Sequence, residues 1–318
     1  MRKLTQAEQR TLAGGNRTFP SQLTFSRKDV VTFRQDAVTR MSISGVQDKI
    51  SLKLVRGTLL PTDHDGEYIL KPIPSSPIPF YASDVPANEH LTMQIANKVF
   101  GITTPPNACL PMSDGELAYI VKRFDRQAGQ KRRQEDFCQL SNRTEVTRGH
   151  NYKYDGSYEE AGRILKQYCK AYRAEIEKLF ERIVFCYAFS NGDAHFKNFS
   201  LIETGLGDFV LTPAYDLLAT SLHFQNESSL ALNLFDDFES KAYGALGFYS
   251  APDFIELALR FEMDLQQAKT LLKSMSAQKA KVVEMIRDSL LSEEAKGEYE
   301  QRFLERVKAI NNGLDASR

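Results

Sequence analysis

Asp193 and Asn198 stand five positions apart, and Asp216 follows further along: two carboxylates and an amide of the kinds that hold a hard divalent cation and steer a hydroxyl. Lys71, far upstream, adds a cation. Phosphoryl transfer from a nucleotide asks a protein for such a set: positive charge on the phosphates, oxygen ligands for Mg²⁺, and a carboxylate beside the attacking hydroxyl. Glu89 follows in the order that would let it pair with Lys71. Its alternative, a solvated glutamate and a surface lysine, stays open.

The offset between Asp193 and Asn198 is that between the catalytic base and the Mg²⁺-binding amide of a protein-kinase catalytic loop. The loop would be Asn191-Gly192-Asp193-Ala194-His195-Phe196-Lys197-Asn198, placed between an apolar helix and a hairpin. Tyr215-Asp216 comes directly after the second hairpin strand, where a kinase sets the carboxylate that chelates Mg²⁺ between the phosphates. Asp216 is otherwise a helix N-cap before Leu217-Leu218-Ala219. The stretch Ser42-Ile43-Ser44-Gly45-Val46-Gln47-Asp48-Lys49 either folds its N–H groups over phosphates or is an ordinary turn, for it holds a single glycine. His195 either contacts a phosphate, helps fix the loop, or is structural.

Periodicity shows the elements that must position these groups. Ile50, Leu52 and Leu54 alternate with Ser51 and Lys53 as in a half-buried strand, and residues 67–71 predict a second strand stopping at Pro72. A proline-rich surface loop over 73–79 leads to a helix capped by Ser83 or Asp84, with Pro86 in its first turn, Leu91, Ile95 and Val99 along one face and Gly101 as its stop. Residues 117–121 predict another strand. Ile176, Leu179, Phe180, Ile183, Val184 and Tyr187 give a buried helix ending near Ser190, and strands at 199–202 and 209–211 bracket a turn at 205–208. Beyond residue 250 the chain is almost entirely helical, including 254–261, 265–275 and 281–291. Residues 1–40 show weak periodicity and turn clusters at Gly14-Gly15-Asn16 and Phe19-Pro20. The expected fold is α+β and two-lobed, protein-kinase-like: an N-terminal segment 1–40, a small β-rich, ATP-binding N-lobe 41–125, and a mainly α-helical C-lobe 126–318 with catalytic loop, metal site and helical bundle.

With 318 residues, 42% of them hydrophobic and 26% charged, the chain can bury two coupled cores. Lysine plus arginine equals aspartate plus glutamate at 41 each, which argues against the overall basic field of non-specific nucleic-acid or membrane-surface binding. Cys109, Cys138, Cys169 and Cys186 have no metal-ligand spacing and read as thiols of a reducing cytoplasm. The polar residues 1–10 lack the apolar core of a secretion signal, and no run reaches a membrane span, so a cytoplasmic protein is expected.

In chain order, Ser44-Gly45-Val46-Gln47-Asp48-Lys49, Tyr68-Ile69-Leu70-Lys71-Pro72, Asn88-Glu89, Val121-Lys122-Arg123-Phe124-Asp125-Arg126, Gln134-Glu135-Asp136-Phe137, the catalytic-loop block and Pro213-Ala214-Tyr215-Asp216-Leu217-Leu218 resemble HipA-family serine/threonine kinases, toxins of bacterial toxin–antitoxin modules. The match covers about residues 40–240 and implies a HipA-like fold. It implies Asp193 as catalytic base, Asn198 and Asp216 as Mg²⁺ ligands, Lys71 on the ATP phosphates and Glu89 as its supporting partner. It further implies residues 121–124 as the adenine-reading hinge, with Val121, Arg123 and Phe124 among the ATP contacts, and His195 and Tyr215 near the nucleotide. Ser44, Gly45, Val46 and Gln47 belong to the loop in which family members are silenced by autophosphorylation, Ser44 being the first candidate and Ser42 the second. About 40 residues precede the motif where typical HipA proteins carry a further subdomain of about a hundred, the size of a compact folding unit. The chain therefore resembles the shorter HipT-like form. The implied partners are a small antitoxin similar to that subdomain, a helix-turn-helix DNA-binding antitoxin, and, as protein substrate, an aminoacyl-tRNA synthetase; no direct nucleic acid or membrane contact is implied.

Three other classes compete. Gly192-Asp193-Ala194-His195 resembles the Asp-x-His opening of a dinuclear metallophosphoesterase, which wants further histidines and carboxylates that His64, His90, His150 and His223 do not place in a second motif. A catalytically dead kinase fold acting as a binding partner is opposed by the presence of Lys71, Asp193, Asn198 and Asp216 together. A small-molecule kinase shares the same phosphate machinery, which does not select the acceptor.

Overall fold

The computed structural model describes residues 4–15, 17–38, 49–127, 130–237 and 239–314. Five strands, β1 (Ile50–Val55), β2 (Thr58–Pro61), β3 (Tyr68–Pro72), β4 (Asn107–Pro111) and β5 (Leu117–Lys122), form an antiparallel sheet in the order β2-β1-β3-β5-β4. Because side chains alternate between faces along a strand, Leu70 and Lys71 point to opposite sides, as do Ile120 and Tyr119 opposite them in register. The face of Leu52, Leu54, Tyr68, Leu70, Ala118 and Ile120 is apolar and must be covered.

Its cover is the N-terminal segment. Helices α1 (Gln6–Ala13) and α2 (Arg27–Val38) and the loop between them bring Leu12, Phe19, Leu23, Phe25 and Val30 onto the sheet. The Tyr68 hydroxyl donates to the Leu12 carbonyl at 2.7 Å, and the Phe19 ring lies 5.5 Å from that of Tyr68. The sequence shows only turns here because α1 buries just Leu12 and Ala13, and much of the anchoring comes from aperiodic loop residues. The turn at Gly14 is as expected: it ends α1 at φ +73°, a left-handed conformation that glycine adopts at no steric cost.

On the other face lies α3 (Val85–Lys98), whose Ala87, Leu91 and Ile95 share a core with Tyr119. Asp84 precedes α3, as expected of a cap, yet makes no capping bond. Its carboxylate accepts instead from Ser292 N (2.8 Å) and Ser292 Oγ (2.7 Å) at the start of the last helix. A tertiary donor pair has outcompeted the local one.

A short ribbon, β6 (Arg126–Gln127) and β7 (Gln130–Lys131), leads to β8 (Gln134–Asp136), which joins the hairpin β9 (Ser200–Glu203) and β10 (Phe209–Leu211) in a second sheet ordered β10-β9-β8. Between β8 and β9 run α4 (Phe137–Leu140), α5 (Glu145–Arg148), α6 (Tyr158–Tyr168) and α7 (Tyr172–Ala188). After β10 come α8 (Lys241–Leu246), α9 (Ala251–Arg260), α10 (Leu265–Ala277), α11 (Lys279–Arg287) and α12 (Glu293–Asn311). Leu179, Phe180, Ile183, Val184 and Tyr187 of α7 are inaccessible to solvent, and each such burial stabilises by about 1.5–3 kcal/mol. The rigid α7 thereby fixes the origin of the loop that follows it. Among the described residues no helix is long and apolar enough to cross a membrane.

Candidate active site

Lys71 leaves β3 on the face opposite Leu70 and reaches two carboxylates at once. Its Nζ lies 2.6 Å from Glu89 Oε1 on α3 and 2.6 Å from Asp216 Oδ1 beyond β10. The lysine and Glu89 side chains are 10% and 2% exposed, whereas Asp216 opens to the cleft at 40%. The surface alternative for Lys71 and Glu89 is thus excluded. Burial works against the charge on Lys71, but Asp216 and Glu89 outweigh it and raise its pKa. Burial, assisted by Asp216 and opposed by Lys71, pushes Glu89 up to about 7. Asp216 is held below its ordinary value: its surroundings raise it, and Lys71 more than offsets them.

The N-cap alternative for Asp216 fails as well, since no helix begins at residues 217–219. Asp216 instead stands at φ +55°, in the left-handed region, immediately after Tyr215. Asn191 Nδ2 donates to the Asp216 carbonyl at 3.3 Å, and Asn198 Nδ2 lies 3.4 Å from Asp216 Oδ2. Asn198 thus turns its amide nitrogen to one Asp216 oxygen while its own Oδ1 accepts from His195 N, and the second Asp216 oxygen lies on Lys71. A carboxylate and an adjoining amide are groups that would hold Mg²⁺ once the Asn198 amide presents its oxygen, with other positions left for phosphates and water. Among the described residues no group of three or more His, Cys, Asp and Glu gathers as a closed metal site.

The loop from Asn191 to Asn198 is held from inside. Asp193 N donates to Asn191 Oδ1 (3.2 Å), His195 N donates to Asn198 Oδ1 (3.1 Å) and Gly192 N donates to Thr220 Oγ1 (2.7 Å). Gly192 is required by space: a Cβ there would lie 2.4 Å from the Ser228 carbonyl oxygen. His195 is buried, its Nε2 is 3.7 Å from Asp193 Oδ1, and burial lowers its pKa to about 4 against the pull of Asp193. It therefore packs as a neutral ring in the loop. Asp193 itself accepts a short hydrogen bond from the Tyr154 hydroxyl.

At the end of β5, Arg123 N donates to the Glu67 carbonyl at 2.8 Å, and its guanidinium grips Asp125 at 2.6 and 2.9 Å. Phe124 faces Tyr215 with ring centres 5.7 Å apart, and the Tyr215 hydroxyl donates to the Lys197 carbonyl at 2.8 Å. Val121, in β5, is partly buried against the same core as α3. Arg123, Asp125, Gln134, Asp136, Lys197 and Tyr215 border a polar cavity of about 250 Å³. Ser42, Ser44, Gly45, Val46 and Gln47 lie outside the described residues. Lys49, just beyond them, adds to the field that lowers the Asp216 pKa.

Some residues build the site through roles that the motifs do not display. Asn88, next to Glu89, brackets Ala219 with Nδ2 on its carbonyl and Oδ1 on its N–H, both at 3.0 Å, and also meets His223 Nε2 at 2.9 Å. That network ties α3 to the segment after Asp216. Thr220 and Tyr154 act through tertiary contacts, so nothing local marks them.

A lysine on the third strand paired to a helix glutamate, over a helical body whose loops converge on it, is the protein-kinase-like arrangement. The chain belongs to the HipA-like C-terminal domain family, whose model matches residues 41–284. A Haemophilus influenzae protein named "Putative kinase" is 31% identical over 258 residues, 76% of this chain and 73% of that protein. "Putative kinase Y4dM" of Sinorhizobium fredii is 34% identical over 220 residues, 64% of this chain, which spans about half of that relative, 51%. Among solved structures, HipA of Shewanella oneidensis, from a toxin–antitoxin complex with HipB and operator DNA, has a TM-score of 0.69 at 22% identity, covering 95% of this chain and 75% of that one. The Helicobacter pylori proinflammatory kinase CtkA has a TM-score of 0.58 at 17% identity, over 87% and 93% of the two chains. Both likenesses are of fold.

Proposed function

We propose that the protein is an ATP- and Mg²⁺-dependent serine/threonine protein kinase and the toxin of a bacterial toxin–antitoxin pair. The observation that carries this is the convergence of Lys71, Glu89, Asp216 and Asn198, with Asp193 on the adjoining loop. Magnesium ATP supplies the transferable phosphoryl group and the charge neutralisation on it. Lys71, held by Glu89, binds the phosphates; Asn198 and Asp216 hold the cation; Asp193 orients the acceptor hydroxyl and takes its proton. Residues 121–124, with Phe124 against Tyr215, read the adenine edge, so that 41–125 serves the nucleotide and the remainder the catalytic loop and the acceptor.

The further parts rest on family resemblance. The target is a serine of an aminoacyl-tRNA synthetase, the partners are a small antitoxin and a DNA-binding antitoxin, and the setting is cytoplasmic. Phosphate on Ser44, or on Ser42, silences the enzyme, because about two negative charges beside the ATP phosphates repel them.

Incubation with γ-labelled ATP and Mg²⁺, followed by mass spectrometry of the chain, tests the proposal. Wild type labels, Asp193→Gln and Asp216→Gln do not, and Ser44→Ala loses the principal site. Equal labelling of all four, or no labelling and no toxicity in any, refutes it. The metallophosphoesterase alternative finds no support, since the described residues offer no second set of ligands around Asp193 and His195.

A further inference from the structure

The loop between β8 and α6 is fastened to the catalytic loop from below. Buried Arg143 donates through Nε to the Asp155 carbonyl at 2.7 Å, pairs with Glu160 at 2.6 Å, and stacks its guanidinium 4.7 Å over the Phe196 ring. Gly156 passes so close to Phe196 that a Cβ there would sit 2.5 Å from the ring. These clamps fix the backbone around residues 142–156 without using the Tyr154 side chain.

Tyr154 is then free to do something else. Its ring stands edge-on to His195 at 5.0 Å between centres, under the Lys153 ammonium at 4.9 Å, and is 36% exposed. Its hydroxyl donates to Asp193 Oδ1. Burial, reinforced by that bond to Asp193, raises the phenol's pKa, so it remains a donor at neutral pH. A neutral O–H on the carboxylate of a general base is the contact an acceptor alcohol makes before transfer.

Resting on the assignment of Asp193 as base, we propose that Tyr154 holds the acceptor-hydroxyl position on Asp193 and is the positioning residue that an incoming serine or threonine displaces, with residues 142–156 receiving the acceptor chain. In the transfer, the acceptor oxygen forms its bond to the γ-phosphorus as the bond to the β–γ bridging oxygen breaks. ADP departs and the acceptor proton passes to Asp193. While the phenol holds Asp193 Oδ1, no acceptor hydroxyl or water can take its place on that oxygen. The tyrosine thereby protects ATP from water when no protein acceptor is present.

The test is hydrolysis of ATP by water in the full chain with Mg²⁺, comparing wild type, Tyr154→Phe, Asp193→Asn and the double variant. Tyr154→Phe keeps the ring and opens one water-sized space on Asp193. Its hydrolysis should rise about tenfold, the factor a hydrogen bond to a charged group is worth, with unchanged affinity for a fluorescent ATP analogue. Transfer from ATP to dephosphorylated casein should show the same variant with a lower KM for casein. A rate no faster than wild type together with an unchanged casein KM, or phosphate found on Tyr154 itself, overturns the proposal while Asp193→Asn stays inactive. Undiminished hydrolysis in Asp193→Asn defeats the assignment of the base instead, and this proposal with it.

Discussion

Lys71 and Asp216 stand 145 positions apart in the chain, yet Nζ and Oδ1 meet at 2.6 Å. The same ammonium contacts Glu89, so one cation serves two carboxylates. Removing it by Lys71→Met leaves Glu89 buried without a counter-charge, which costs about 3–5 kcal/mol in comparable pairs. Phosphotransfer should fall by about 10²–10³, the typical loss of one charge-stabilising donor. Adding Glu89→Gln should recover much of the stability and none of the activity, as read by thermal denaturation and a labelling assay.

Glu89 and His195 should give stability opposite dependences on pH. Glu89 ionises near 4.5 when unperturbed and near 7 in the fold, so its contribution is complete below 4.5 and is lost as pH rises through about 7. His195 moves from 6.5 down to about 4, so its contribution is present above 6.5 and is lost as pH falls through about 4. Relative to wild type, Glu89→Gln should therefore gain in melting temperature between pH 5 and 7, and His195→Gln should decline. Parallel slopes in the two variants would show that these assignments are wrong.

Asn88→Ala removes a two-way clasp on Ala219 and a partner of His223. Leaving the buried Ala219 groups unpaired should destabilise by about 2–3 kcal/mol. The loss should loosen the segment carrying Asp216, so ATP affinity drops along with the melting temperature. Thr92→Val, which removes a hydroxyl bonded to Asn88 and to the Tyr299 hydroxyl, should cost less.

Gly192→Ala tests the packing of the catalytic loop. The added methyl group meets a backbone oxygen at 2.4 Å and the Glu227 side chain at 2.6 Å, and backbone cannot swing aside as a side-chain tip can. Overpacking of this sort costs about 1–3 kcal/mol. Activity should fall far more than stability, because Asp193 is the next residue. Wild-type turnover in this variant would mean that the loop is looser than its hydrogen bonds indicate.

The sequence revealed what is periodic or punctuated. The alternation in β1 and β3, the apolar stripe of α7 and the hairpin around 205–208 all appear where the pattern puts them, and with them the order of Lys71, Glu89, Asp193, Asn198 and Asp216. What stayed hidden depends on contacts between distant residues. The cover formed by Leu12, Phe19, Leu23, Phe25 and Val30 has no single period, Asp84 found a better partner two hundred positions away in Ser292, and nothing near Tyr154 announces that it will meet Asp193. Short-range chemistry is written locally; the fastening of one element to another is not.

The left-handed backbone at residue 216 narrows what evolution can try there. Asparagine and aspartate tolerate that twist better than longer or branched side chains do, through their short polar groups. Glutamate would keep the charge but strain the main chain and overshoot Lys71, and glycine would fit the twist but bring no oxygen. The position admits almost no chemical drift: the backbone twist accepts asparagine or aspartate, the charge accepts aspartate or glutamate, and only aspartate meets both demands.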